Sequence, residues 1–379
     1  MNATSWTRYK NAIGVAILVI LVLLIGWFET AQPAGLDFAD LSGGIVTFNT
    51  IVRIGILTIV VVGLNLLMGY AGQVSLGQAA FYAIGAYISA IFTTKAHLLG
   101  IPESISASWW WPWLLMIVAM LFTGLFAYLV GKPILQLKGH YLAMATLGLG
   151  IVVFILFREN FGIKPNNLNL TGGFDGIFDI PRLRIGGFEL WPLTRYYYLV
   201  WFFAIVTIVL SLNIVNSRVG RALRAIHSSD LAAETMGVDT SEFKVWALVV
   251  SAMYASLAGS LYAHFQAALS PAPFSFIGSL ELVVMAAAGG LASIWGAPLG
   301  VAFILIIEEL LRARLHLLIE GASGEIETIA FGLILILLMI FMPDGIVKGT
   351  QRLLQKWSAP PAKASRKSKI CAKPPVGKI

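Results

Sequence analysis

Long apolar runs broken by short polar clusters dominate the chain. Runs near 11–28, 51–70, 76–94, 109–131, 140–157, 196–212, 244–268, 279–295, 297–311 and 326–342 each approach the roughly 20 residues that a membrane-crossing helix needs. They predict an all-α polytopic membrane protein with about ten transmembrane segments, both ends on one side. The stretch "ELVVMAAAGGLASIWGAPLGVAFILIIEELL" is cut by Gly289, Gly290, Gly296, Pro298 and Gly300. It reads either as two crossings or as one broken, re-entrant element, because non-helical backbone at membrane depth survives only where protein or a cavity shelters it. The first run follows Arg8 and Lys10 and, from Ala12 to Phe28, is longer than the roughly 7–15 residues of a signal-peptide core. It is expected to be a retained anchor.

A second pattern lies inside the runs. "GLNLLMGYAGQVSLGQAAFYAIGAY", residues 63–87, has almost no charge but sets Gly69, Gly72, Gly77 and Gly85 beside Gln73, Ser75 and Gln78. Such uncharged polar groups either line a transport path or knit helices together. Whether residues 71–75 turn at the surface or inside the membrane stays open.

Two polar segments separate the runs. Residues 158–195 form a long loop with "LTGGFDGI", in which Thr171 and Asp175 read as turn or outer-mouth residues. Residues 213–243, "NIVNSRVGRALRAIHSSDLAAETMGVDTSEF", predict two short helices. Arg218 to Ile226 favours helix, with arginines at three-residue spacing. Ser228, Ser229 and Asp230 supply N-cap chemistry for a second helix through Met236, which Gly237 can close. Asp239 and Glu242 resemble a capping box before the next run. The result is a small helix–turn–helix shape with Ala232, Ala233, Thr235 and Met236 on its surface. It suits either a knob that docks on another protein or an amphipathic element at the headgroups.

Composition narrows the class. Only 12% of residues are charged, half of what soluble domains carry, about 25%, and mean hydropathy is +0.83. The net charge of +7 does not point to nucleic acid. Nine Lys or Arg and no acid fall from Lys348 onward, so the remainder is slightly acidic. Residues 1–347 are thus expected to form the membrane domain and 348–379 a disordered basic tail beside an anionic leaflet. Arg8, Lys10, Lys132, Lys138, Arg218, Arg221, Arg224 and the tail fall on one side if both ends are cytoplasmic. Glu29, Asp37 and Asp40 fall opposite; Arg312 and Arg314 break the rule there. The single cysteine, Cys371, permits no internal disulfide or metal cluster.

No enzyme chemistry is apparent. The chain lacks G-x-x-x-x-G-K-[ST], H-E-x-x-H and G-x-S-x-G patterns, and its five histidines are scattered. No metal site and no cofactor are expected. An ion-coupled secondary transporter would need intramembrane ionisable groups; Glu281, Glu308 and Glu309 are candidates, and Glu281 is the one placed for a cavity. A passive channel would need a filter or charge ring, and neither is evident. Trp109, Trp110, Trp111 and Trp113 suit an interfacial belt.

The order "NLLMGYAGQVSLGQAAFYAIGAY", "LTGGFDGI", "GRALRAI", "LAAETMGV" and "SAMYASLAGSLYAHF" resembles the permeases of bacterial branched-chain amino acid ABC importers, specifically the LivM type. The resemblance covers roughly residues 45 to 345. It implies an ABC importer permease fold in the bacterial inner membrane and import of leucine, isoleucine or valine, while related systems carry urea or amides. It further implies two cytoplasmic ATPase subunits that bind the ATP, a second permease subunit of LivH type and a substrate-binding protein outside. In that family an Ala-Ala-x-x-x-Gly pattern marks the coupling helix that inserts into the ATPase. Here it falls on Ala232, Ala233 and Gly237, and the implied contact comprises Asp230, Leu231, Ala232, Ala233, Glu234, Met236 and Gly237. His227-Ser228-Ser229-Asp230 departs from the family's Arg-x-Asn-Glu-like run, although Asp230 keeps an acid. Gln73, Ser75, Gln78 and Glu281 are the expected translocation-path residues.

Overall fold

The computed structural model describes residues 3–31, 46–106, 108–137, 139–162 and 170–318, with positions 332, 333 and 336. The expected crossing at 326–342 and the tail from 348 lie outside the described residues.

The long helices are α1 (Ala3–Ala31), α2 (Phe48–Leu64), α3 (Gln78–Thr94), α4 (Trp111–Ile134), α5 (His140–Arg158) and α6 (Leu193–Asn216). They continue with α7 (Arg218–Ser228), α8 (Asp230–Thr235), α9 (Thr240–Gln266), α10 (Phe276–Gly289) and α11 (Gly296–Leu318). α2 runs on as a π-helical stretch, Asn65–Tyr70. Among the described residues, six helices are long and apolar enough to cross a membrane: Asn11–Ala31, Phe48–Tyr70, Trp111–Ile134, His140–Arg158, Leu193–Asn216 and Thr240–Gln266. The chain is therefore an all-α, multi-pass membrane protein.

Two expected crossings are shorter than their apolar runs. α3 has 17 residues and α10 has 14; at 1.5 Å per residue they fall short of a hydrocarbon core of about 30 Å. The run 279–295 is corrected: its helix starts at Phe276 and stops at Gly289, and residues 290–295 turn before α11 begins. Asn65 Nδ2 donates to Ser293 O at 3.1 Å, so protein shelters this irregular backbone, as membrane depth demands.

α2, α3 and α9 form the centre. Lipid is as apolar as leucine, so helices associate through close packing and polar contacts rather than hydrophobic burial. α9 supplies the surface: Ala252, Ala255, Ser256, Gly259, Ser260 and Ala263 are all buried and recur at three- and four-residue spacing, one face of a helix. α3 answers with Gly85. A Cβ built there would lie 2.2 Å from Ser256 O, and one on Gly259 would lie 2.1 Å from Tyr82 O. Ser260 Oγ donates to Gly85 O (3.1 Å) and Thr123 Oγ1 of α4 to Ser256 Oγ (3.0 Å). By contrast α1 and α5 leave Ile17, Leu24, Val152 and Ile155 exposed, faces suited to lipid or another subunit.

These contacts fix direction. Phe48 meets Tyr197, so α2 and α6 start at the same end; α9 returns from the α7–α8 end with α3 alongside. At the far end the loop is pinned rather than loose. Ile177 and Leu269 exchange backbone hydrogen bonds of 2.9 and 2.8 Å, and Ile180 N donates to Ala267 O. A hairpin, β1 (Arg184–Ile185) with β2 (Phe188–Glu189), follows. Arg312, which broke the expected charge asymmetry, pairs with Glu308 there at 3.2 Å, so its charge is matched locally.

Candidate functional site

At the α7–α8 end, local capping builds the predicted knob. Ser217 Oγ accepts from Val219 N and starts α7; Ser229 Oγ accepts from Ala232 N and starts α8. Asp239 accepts from Glu242 N and starts α9, each side chain satisfying an amide that a helix start otherwise leaves unpaired. Gly237 follows α8 at φ +80°, with its amide on Glu234 O. α7 lays Leu223 and Ile226 on the body and leaves Arg218, Arg221 and Arg224 exposed.

Phase along α8 divides the expected contact residues. Leu231 is 72% exposed and Met236 84%, with Ala232 and Thr235 on the same open side. Ala233 is 3% exposed, which corrects its expected place on the surface: one residue past Ala232 is about 100° of helix rotation. Asp230 and Glu234 hold the element in place. Lys244 Nζ of α9 donates to Asp230 Oδ2 at 2.7 Å, and Thr240 Oγ1 to Glu234 Oε1 at 2.8 Å. Lys244 is buried, so Asp230 is its charge partner as much as part of an outward surface.

The knob touches the second predicted element directly. After Tyr70 the chain turns at Gly72 (φ +70°), where a Cβ would come 2.7 Å from His227 Nδ1 of α7. Residues 73–77 then run without helix to Gln78, where α3 begins. Gln78 Nε2 donates to Ser251 O and Oγ at 3.2 and 3.0 Å, close to the midpoint of the 27-residue α9. Residues 71–75 thus turn at the knob, and an extended arm climbs from there to mid-helix depth. Leu76 N bonds Thr146 Oγ1 of α5, and Ala79 N bonds Ser279 Oγ of α10, so neighbours satisfy part of the non-helical backbone.

The three expected path residues lie along this arm and are buried, but they point to different partners. Gln73 Nε2 folds back on Ala71 O (3.2 Å). Ser75 Oγ and Gln78 Oε1 have no hydrogen-bond partner among the described residues. A buried polar atom left so costs about 1–3 kcal/mol, which suits groups that meet water or a solute during work.

Glu281 is not part of the arm. It lines a separate cavity of about 210 Å³ with Arg53, Leu57, Tyr82, Tyr262 and Met285, one turn further along α3 than Gln78. Arg53, a single charge within the apolar run of α2, is the cavity's cation. Its Nη1 lies 3.7 Å from Glu309 Oε1, which also accepts from Thr50 Oγ1. Among the described residues no group of three or more His, Cys, Asp or Glu could hold a metal. Thr171, a turn candidate, is tied with Leu170 N to Asn160 Oδ1. Trp111 and Trp113 donate to Phe92 O and Arg184 O, bracing the far end.

The sequence was compared with known proteins. A family described as branched-chain amino acid transport system / permease component matches residues 46–343. The high-affinity branched-chain amino acid transport system permease protein LivM of Escherichia coli (strain K12) is 29% identical, over 89% of this chain and 76% of the relative. LivM of Salmonella typhimurium is 28% identical over the same shares. BraD of Pseudomonas aeruginosa is 24% identical, over 76% of this chain and 90% of the relative. No solved structure matches.

Proposed function

This chain belongs to the branched-chain amino acid transport permease family, and we propose that it imports leucine, isoleucine and valine by coupling α8 to cytoplasmic ATPase subunits. One observation carries the coupling: an outward Leu231–Met236 face sits on an element whose neighbour, His227, packs against the Gly72 turn. Force on the knob reaches the arm at 73–77 without an intervening loop. The arm's lack of helix leaves it fewer internal backbone bonds to break than the helices around it.

In this reading two ATPase subunits bind and hydrolyse ATP, and this chain needs no cofactor. A second, LivH-type permease subunit completes the passage, and a binding protein outside delivers cargo. The passage runs from the Arg53–Glu281 cavity past Gln78 to the arm. α3, α10 and α11 join the six long helices. In this reading about ten segments span a bacterial inner membrane, with both ends cytoplasmic.

The test is Leu231→Glu with Met236→Glu in the complete transporter. Both side chains are exposed, so the fold should change by no more than about 0.5 kcal/mol. ATPase copurification and leucine uptake should both fall at least about tenfold, the loss expected from charging a docking hot spot. Normal copurification with normal uptake would sink the assignment. Radiolabelled leucine against urea, in the reconstituted complex, tests the cargo.

A further inference from the structure

Two oppositely charged side chains face one small cavity within the helical body. Arg53 comes from the first third of α2 and Glu281 from α10. An ionisable residue at a helix centre in the membrane costs about 2.5–3.5 kcal/mol on insertion scales, so each needs a reason to be there. Arg53 has a partial one in Glu309, at a separation of 3.7 Å, longer than a good charge-assisted hydrogen bond of about 2.7–2.9 Å. Glu281 has no direct contact of that kind: among the described residues no hydrogen bond or ion pair reaches its carboxyl group, and its opposite charge is Arg53 on the same cavity wall. A helix-packing role predicts the opposite, a carboxylate already matched by its neighbours.

The rest of the wall is apolar or aromatic: Ile56, Leu57, Leu282 and Met285, with Tyr82 and Tyr262. Tyr82, Tyr262 and Phe274 pack ring on ring, with centroids 5.1–6.2 Å apart, and so hold the aromatic side in shape. At about 210 Å³ the space is below the roughly 300–1,000 Å³ of pockets for drug-sized ligands. It excludes nucleotides and peptides but admits one small solute. A cation, an anion and an aliphatic wall around such a volume match the three parts of a zwitterionic aliphatic amino acid.

We propose that the Arg53–Glu281 cavity is a transient cargo station inside the permease, with Arg53 receiving the α-carboxylate, Glu281 the α-ammonium and the Ile56–Leu282 wall the side chain. This rests on the reading of the chain as an amino acid importer and adds the site. The Glu309 contact leaves Arg53 available, since a loose pair is exchanged for a cargo carboxylate more readily than a tight one. A neutral cargo such as urea would use neither charge.

The experiment uses the assembled transporter in proteoliposomes, with Cys371→Ser and a single cysteine at Leu57 or Pro273, both on the cavity wall. Labelling by a membrane-impermeant thiol reagent is timed with and without leucine. At about twice its half-saturating concentration leucine should slow labelling about threefold by mass action. 4-Methylpentanoate and isopentylamine, each lacking one charge, should not. Glu281→Gln and Arg53→Gln should abolish protection, and Glu281→Asp should restore it. Leucine accumulation in the same vesicles without protection, or no labelling at either position, overturns the station and leaves the importer reading intact. Urea accumulation without leucine accumulation overturns the importer reading instead, and urea protection would then show a cavity that does not select a zwitterion.

Discussion

Residues 217–239 and residues 71–78 meet where Gly72 packs on His227, and they satisfy their backbones in different ways. In the first region each helix start is served by a side chain within three residues: Ser217, Ser229 and Asp239. In the second, beside the local bonds of Ala71 N to Leu66 O and Gln73 N to Leu67 O, partners come from far along the chain: Leu76 N uses Thr146, Ala79 N uses Ser279, and the Gln78 side chain uses Ser251. The knob starts its helices with its own side chains and is then braced by α9; the arm depends on three other helices around it. An element at the surface tolerates exposure, since water satisfies whatever it leaves open. A broken element at membrane depth has to be enclosed.

Substitutions at three positions sharpen this contrast. The largest effect belongs to Gly85→Leu. Even a Cβ at that position falls 2.2 Å from Ser256 O, so α3 and α9 must separate, at a cost at or above the usual 1–3 kcal/mol of overpacking. The expected result is loss of folded protein from detergent extracts, measured by size-exclusion yield. A monodisperse, stable variant would show that α3 is not held as described.

Gly72→Ala should act at the junction. Its φ of +70° costs an alanine about 1–2 kcal/mol, and the new methyl displaces His227. Uptake should fall further than stability does, with ATPase subunits still bound. Equal loss of thermal stability and uptake would make the turn a packing feature rather than a transmission point.

The smallest stability effect is expected for Gln78→Leu. Interhelical polar contacts of this kind average about 0.6 kcal/mol, and removing the side chain also removes its unpartnered Oε1. The melting temperature should stay nearly constant while leucine uptake drops. Unchanged uptake would leave Gln78 as a helix tie to Ser251.

Much of this was legible beforehand because it is local. Ser, Asp and Gly at fixed offsets announced α7, α8 and the start of α9, and the family resemblance located the coupling pattern on Ala232, Ala233 and Gly237. Exposure was not legible to the residue: Ala233 turns inward because α8 is only six residues long and its rotational phase is set by Lys244 gripping Asp230. Arg53 escaped notice because one arginine inside FNTIVRIGILTIVVVGL does not disturb the apolar run. Its meaning appears only when α10 brings Glu281 to the same cavity.

The chain alone determined a multi-pass helical membrane protein, the glycine breaks near 290, the capped loop at 213–243 and the family. Apolar run length, cap chemistry and motif order are properties of neighbours in sequence, so they survive without a fold. Tertiary structure decided where helix stops in the two broken regions. The glycines and small polar residues of 71–77 and 290–295 permit a break, but they do not by themselves fix where the chain leaves the helix. There Thr146 Oγ1 takes the Leu76 amide and Asn65 Nδ2 the Ser293 carbonyl, both across long sequence separations, while Ser279 and Ser251 anchor the start of α3 through the Ala79 amide and the Gln78 side chain.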